Sequence, residues 1–217
     1  PPPIAEAATL CHAAGALLLV DAVQAACCVA GDLRALGADS LALSVHLGGG
    51  PAGAGALLLA RDLALAPLIR GGGQERGRRG GAAALPAIAG FAAAAGCATA
   101  DLTALRDAAE QAAVAAGALV LGGGAARLPN TTCLALPGVA AQTQVIALDL
   151  AGIRVSAGAA CSSGKVARSH VLDAMGLGAL AGEAIRVSLP WNATEADIAA
   201  FIAAYQGMAR RLSRHAA

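Results

Sequence analysis

The 217-residue chain is 57% hydrophobic and 13% charged, with a formal net charge of +1. That balance suits one large or two small globular domains and excludes a disordered tail. It also gives no electrostatic case for nucleic acid or an anionic membrane surface, because both require a concentrated basic face. A mean hydropathy of +0.65 raises the question of a bilayer span. The long uncharged stretch 80–100 is built of alanine and glycine, which supply little transfer free energy, and Pro86 interrupts it, so a small-residue helix is expected there instead. The chain opens "PPPIAEAATLCH", with neither methionine nor a basic n-region, which reads as an absent start or a processed product without a secretory signal. Cys11, Cys27, Cys28, Cys97, Cys133 and Cys161 form no CxxC pair and no scaffold spacing. A reduced, cytoplasmic setting and no metal site are expected.

In chain order, "PIAEAATLCHAAG" reads as a helix stopped by Gly15. The runs 15–23, 39–45 and 53–60 are short and apolar between glycine or charged punctuation, as strands buried on both faces would be. After the glycine-rich "RGGGQERGRRGG" at 70–81, an alanine-rich helix is expected over about 85–97, and a second opens near Asp101. Strands are then expected at 131–136, 153–158 and 184–189, alternating with helical "AQTQVIALDLAG" and "SHVLDAMG". A closing helix starts at Thr194, which has capping-box spacing to Asp197. This order predicts an α/β domain followed by a small α+β domain.

Three stretches can carry chemistry. "VDAVQ" puts Asp21 at the end of an apolar strand with Gln24 just beyond, a place where an acid can pair with a pyridinium nitrogen in a ligand crevice. An isolated Asp there more often caps a helix or turn. "SVHLGGGPAG" offers Ser44, His46 and exposed backbone amides to a phosphate, or else it is a tight glycine turn with a satisfied histidine. "SAGAACSSGKVARSHVL" sets Cys161 among small residues with Lys165 and Arg168 close in sequence, an arrangement that favours an accessible thiolate. The other cysteines are expected to be passive, with Cys11, Cys27, Cys28 and Cys97 in apolar, buried segments.

Together these stretches, with "DSLALSVH", "LPNTT", "ALDLAGIRVSAGAACSSGK" and "IRVSL", resemble the cysteine desulfurases, pyridoxal-phosphate enzymes of fold-type I in the class V aminotransferase group. The resemblance implies that 1–97 is the remainder of the cofactor-binding large α/β domain and 98–217 the small α+β domain with the cysteine loop. It implies Asp21 at the pyridine nitrogen, Gln24 at the phenolic oxygen, Ser44 and His46 at the phosphate, Cys161 as the persulfide carrier, and Arg186 on the carboxylate of substrate cysteine. Several positions depart from the family pattern. Leu47 stands where members carry the Schiff-base lysine, so transaldimination is lost, together with general acid/base help of about 10²–10⁴-fold. Ala82 replaces a threonine that reaches the neighbouring subunit's cofactor, Pro190 replaces a glycine, and Cys133 replaces an asparagine.

Members are also nearly twice as long, so the resemblance implies a truncated sheet needing cover from a partner protein or a second copy. Two readings follow. One is a degenerate, structural or regulatory subunit, with pyridoxal phosphate absent or held non-covalently. The other is an active desulfurase supplying sulfur for iron-sulfur clusters, completed by another chain or being an incomplete copy of an active enzyme. A sulfur donor or acceptor protein is the implied further partner.

Overall fold

The computed structural model describes residues 2–25, 28, 33–97, 100–158 and 168–213. The chain divides into two compact units, Pro2–Ala100 and Asp101–Ala217.

The first unit begins with α1 (Ile4–Ala13), whose end is written locally in the sequence. Gly15 adopts φ +69°, and the amides of Gly15 and Ala16 turn back to the carbonyls of His12 (3.0 Å) and Cys11 (2.8 Å). Only a residue without Cβ enters that left-handed conformation cheaply, and the two bonds satisfy carbonyls the helix leaves open. The chain then forms β1 (Leu19–Asp21), β2 (Ser40–Leu43) and β3 (Ala56–Leu59) in the order β1-β2-β3, parallel between β1 and β2 and antiparallel between β2 and β3. α2 (Leu85–Ala95) follows, with Pro86 in its first turn, where a missing amide hydrogen costs nothing.

Asp39 holds this unit together. Its buried carboxylate accepts the Leu18 amide (2.9 Å), Arg61 (3.0 Å) and His12 Nε2 (2.9 Å). Its own backbone bonds Leu18 O and Ala60 N, so one residue ties the end of α1, the entry to β1 and the exit of β3.

The expectation of strands buried on both faces is corrected here. β1 and β3 are the two edges of a three-stranded sheet, and Leu19, Leu57 and Leu58 are exposed. In this unit only Ala8, Ala38, Leu41 and Val45 are buried apolar residues among those described, and α2 buries none. Cys97 is likewise exposed rather than buried, while Cys11 and Cys28 are half-buried and Cys27 lies outside the described residues.

The second unit comprises α3 (Thr103–Ala115), β4 (Leu119–Val120), β5 (Thr131–Ala135), α4 (Ala141–Asp149), β6 (Ser156–Ala157), α5 (His170–Ala174), β7 (Ala184–Ser188) and α6 (Glu195–Ser213). Its sheet is antiparallel throughout, ordered β4-β5-β7-β6. Alternation directs Leu134, Ile185 and Val187 into a core with Ala109, Leu148, Phe201, Tyr205 and Met208. Each large apolar side chain buried there contributes about 1.5–3 kcal/mol. Glu110 on α3 accepts Thr132 Oγ1 (2.7 Å) and Arg127 (2.7 Å), fastening the 122–130 connection to the helix. The capping box forms as expected: Thr194 N donates to Asp197 Oδ2 (2.8 Å) and Asp197 N to Thr194 Oγ1 (3.3 Å).

Among the described residues, no helix is long and apolar enough to cross a membrane. The stretch 80–100 supplies α2 and its flanks.

Two predictions follow from these anchors. The Leu18 amide, then His12 and Arg61, hold the Asp39 carboxyl below its ordinary value. Its contribution to stability is therefore complete above the unfolded value of about 3.9 and is lost as pH falls through the lower folded value. Asp39→Asn should lower the thermal midpoint at neutral pH and flatten its decline in acid; a variant whose acid profile parallels the parent would contradict this. Tyr205 is fully buried, its hydroxyl has no partner among the described residues, and burial pushes its pKa up to about 12. Tyr205→Phe removes that unpaired group and should raise stability by roughly 1 kcal/mol in denaturant titrations.

Candidate functional site

β1 and β2 run in the same direction with Asp21 opposite Ala42, so both carboxyl ends reach one edge of the first sheet. β3 runs back, and its first residue, Ala56, lies opposite Leu43. Asp21, the Ser44–His46 segment and the glycine connection therefore share that edge, the side on which ligands enter open α/β sheets. Asp21 is exposed, and its Oδ1 accepts the Val23 amide at 3.0 Å, so half of the carboxylate makes the local turn that the sequence allowed as the alternative. Gln24 is exposed in that turn.

Ser44 is half-buried and its Oγ lies 3.5 Å from the His46 amide. His46, exposed, opens a single 3₁₀ turn, His46–Gly48, and Leu47 points an aliphatic side chain into solvent at 42% exposure. The turn wraps the buried Val45, whose carbonyl accepts the amides of both Gly48 and Gly50 at 2.9 Å. A Cβ at Gly50 would lie 2.4 Å from Val45 Cγ2 and 3.0 Å from Val45 O, which explains the glycine. This corrects the expectation of exposed amides in part. The Gly48 and Gly50 N–H groups are already engaged by the Val45 carbonyl.

In the second unit Arg186 sits at the middle of β7, half-buried, opposite Cys133 on β5 and opposite Ser156 on β6. Burial pushes the Cys133 thiol up, and the Arg186 charge opposes that shift without cancelling it. Arg61, Arg78, Arg106, Arg127 and Arg168 each have a carboxylate partner, whereas no ion pair engages Arg186 among the described residues. Cys161 and Lys165 lie outside the described residues.

Arg168 is engaged locally, and its expected effect falls on Cys161, outside the described residues. Its Nε donates to Asp173 at 2.7 and 2.9 Å and its Nη2 to Gly178 O, so it ties the entry to α5 to the helix's last turn and the segment after it. Asn130, within "LPNTT", has a structural role. Its Nδ2 donates to Leu189 O (3.1 Å) and its carbonyl accepts Leu189 N (2.8 Å), which fixes the end of the Arg186 strand. Pro190, next in the chain, breaks no bond there and its carbonyl accepts the Ala193 amide. No local signal announces the Asn130 role, because its partner is 59 residues away.

An α/β unit with its polar groups at the strand ends, followed by an antiparallel α+β unit, is a partial fold-type I pyridoxal-phosphate-enzyme architecture. The NifS-like protein from Rickettsia africae ESF-5 superposes with a TM-score of 0.82 at 33% identity, covering 95% of this chain and 57% of that one. The structure described as SspA in complex with cysteine gives a TM-score of 0.72 at 31% identity, over 87% of this chain and 54% of that one. Residues 2–201 match the aminotransferase class-V family, and the chain belongs to that family. Among curated relatives, a cysteine desulfurase of Cereibacter sphaeroides is 44% identical over 203 residues, which are 90% of this chain and 52% of the relative. The chain thus spans about half the length of the relatives it matches, corresponding to their C-terminal portion.

Proposed function

We propose that this chain is a cysteine desulfurase-like protein that has lost covalent cofactor attachment and serves as a structural or regulatory subunit in sulfur transfer. The family reaction removes sulfur from L-cysteine to a cysteine persulfide and yields L-alanine, and pyridoxal phosphate supplies its electron sink. Asp21, Gln24, Ser44 and His46 fit a non-covalent hold on such a group at the first sheet's edge. Position 47 does not fit the covalent one. The observation that carries the reading is Leu47, an aliphatic side chain in the turn beside Ser44 and His46, in a sequence whose sole lysine is Lys165.

The uncovered Leu19, Leu57 and Leu58 support a protein partner or a second copy over the first unit, and the reducing cytoplasm is the compartment proposed. A second reading, an active desulfurase feeding iron-sulfur assembly once another chain completes it, is favoured by the half-buried Arg186, without an ion-pair partner among the described residues, and by the retained Cys161.

Borohydride reduction of the purified chain with pyridoxal phosphate, followed by peptide mapping, should find no adduct in the 44–53 peptide and no stoichiometric one elsewhere. A one-to-one adduct on Lys165 with native-like cofactor absorbance would overturn the loss of covalent attachment. A role in sulfur transfer further requires that a competent desulfurase with cysteine load persulfide on Cys161, detected by mass, and that Cys161→Ser abolish it. Label spread evenly over the cysteines would remove sulfur acceptance from the proposal.

A further inference from the structure

The face of the second sheet turned away from its main core carries a cross-strand row of Cys133, Arg186 and Ser156, one residue from each of β5, β7 and β6, with Cys133 partly buried against Leu172 and Ala181. Directly opposed side chains on one face of an antiparallel pair have Cβ atoms about 5 Å apart. The guanidinium is therefore flanked on both sides by small neutral groups, a thiol and a hydroxyl. Towards one end of the row the face is closed, since Ala135 and Ala184 pack beneath Leu172 and Ala181. Towards the other it is hydroxylic, with Thr131 Oγ1 3.4 Å from Ser188 Oγ. No acid faces Arg186 among these neighbours. A half-buried guanidinium without a counter-ion is costly, and an anion from outside relieves that cost.

Position 133 decides whether the charge stays available. The thiol is held protonated, because burial raises it more than the nearby cation lowers it. A neutral thiol is a weak donor and a weak acceptor, so it does not compete for the guanidinium. A carboxylate at the same place would form the bidentate pair arginine favours and close the site.

We propose that Cys133 is a positioning and selectivity residue for Arg186, the neutral cross-strand neighbour that leaves the guanidinium free to take the carboxylate of an amino acid. This inference rests on the reading of Arg186 as a substrate-carboxylate residue given above. Cys133 acts through Arg186 and takes no part in bond making.

The test follows the Arg186 side-chain Nε–H signal by NMR as L-alanine, and in parallel alaninamide, is added to the full chain. Wild type and Cys133→Ser should show a saturable shift with L-alanine and none with alaninamide. Cys133→Asp, with its backbone amide spectrum retained, should bind L-alanine weaker by about tenfold or more. Equal affinity in wild type and Cys133→Asp overturns the role of Cys133 while leaving Arg186 as a carboxylate residue. No saturable shift in wild type overturns both. Should Cys133→Asp fail to fold, the relative rates of iodoacetate and iodoacetamide at the native Cys133 replace it. Arg186→Gln should lower the rate with the anionic reagent relative to the neutral one, and an unchanged ratio overturns the coupling.

Discussion

The two-residue period of β7 is the constraint on which the second unit depends. Ile185 is fully buried and Val187 nearly so, against a core that includes Tyr205 and Met208. With those two fixed inward, Arg186 must face the other side. A slip of one residue would place the guanidinium among apolar side chains and the isoleucine on the opposite face, so the hydrophobic register and the position of the charge are a single decision. The same alternation on β5 places Thr132 and Leu134 inward and Cys133 beside Arg186. Asn130 closes the arrangement from outside the strands by bonding both backbone groups of Leu189.

The first unit relies on polar rather than apolar fixation. Asp39 gathers His12, Leu18 and Arg61 onto one buried carboxylate, and Val45 gathers two glycine amides onto one carbonyl. These two points set where the strands begin and how the chain leaves β2. They hold Ser44 and His46 at the sheet's carboxyl edge without need of a large core. Leu47 fits this turn well because the turn asks only for a backbone at that position; its packing demand falls on Val45 and Gly50. The fold of the turn is therefore insensitive to the chemistry of residue 47.

Features with local causes were legible in the sequence. Gly15 ends α1 through bonds within six residues, Thr194 and Asp197 cap α6 across three, and all the named strands appear at their expected positions, though β1 and β6 are shorter than their apolar runs. The glycine at 50 was legible as a turn, but not as an answer to Val45, since the crowding exists only once the chain has folded back. Features with distant causes were hidden. Nothing near Glu110 selects Arg127 and Thr132, 17 and 22 residues away. β4 is two residues long and exists through its pairing with β5, so it carries no period of its own. The burial of the first three strands is hidden for a related reason: an apolar run predicts a strand, but the neighbours that cover it come from elsewhere.

The two units differ in what each needs for its chemistry to persist. The second owns a continuous core running from Leu102 to Ala209, and its cross-strand row is positioned by that core alone. Arg186 and Cys133 therefore take their register from this unit's own core. The first unit exposes Leu17, Leu19, Leu57 and Leu58 and buries only four apolar residues among those described, so its edge is sustained by hydrogen bonds that water can contest. Covering those leucines would lower the local dielectric and strengthen every bond to Asp39 at the same time. Cover on the first unit would thus act on the Asp21, Ser44 and His46 edge through stability.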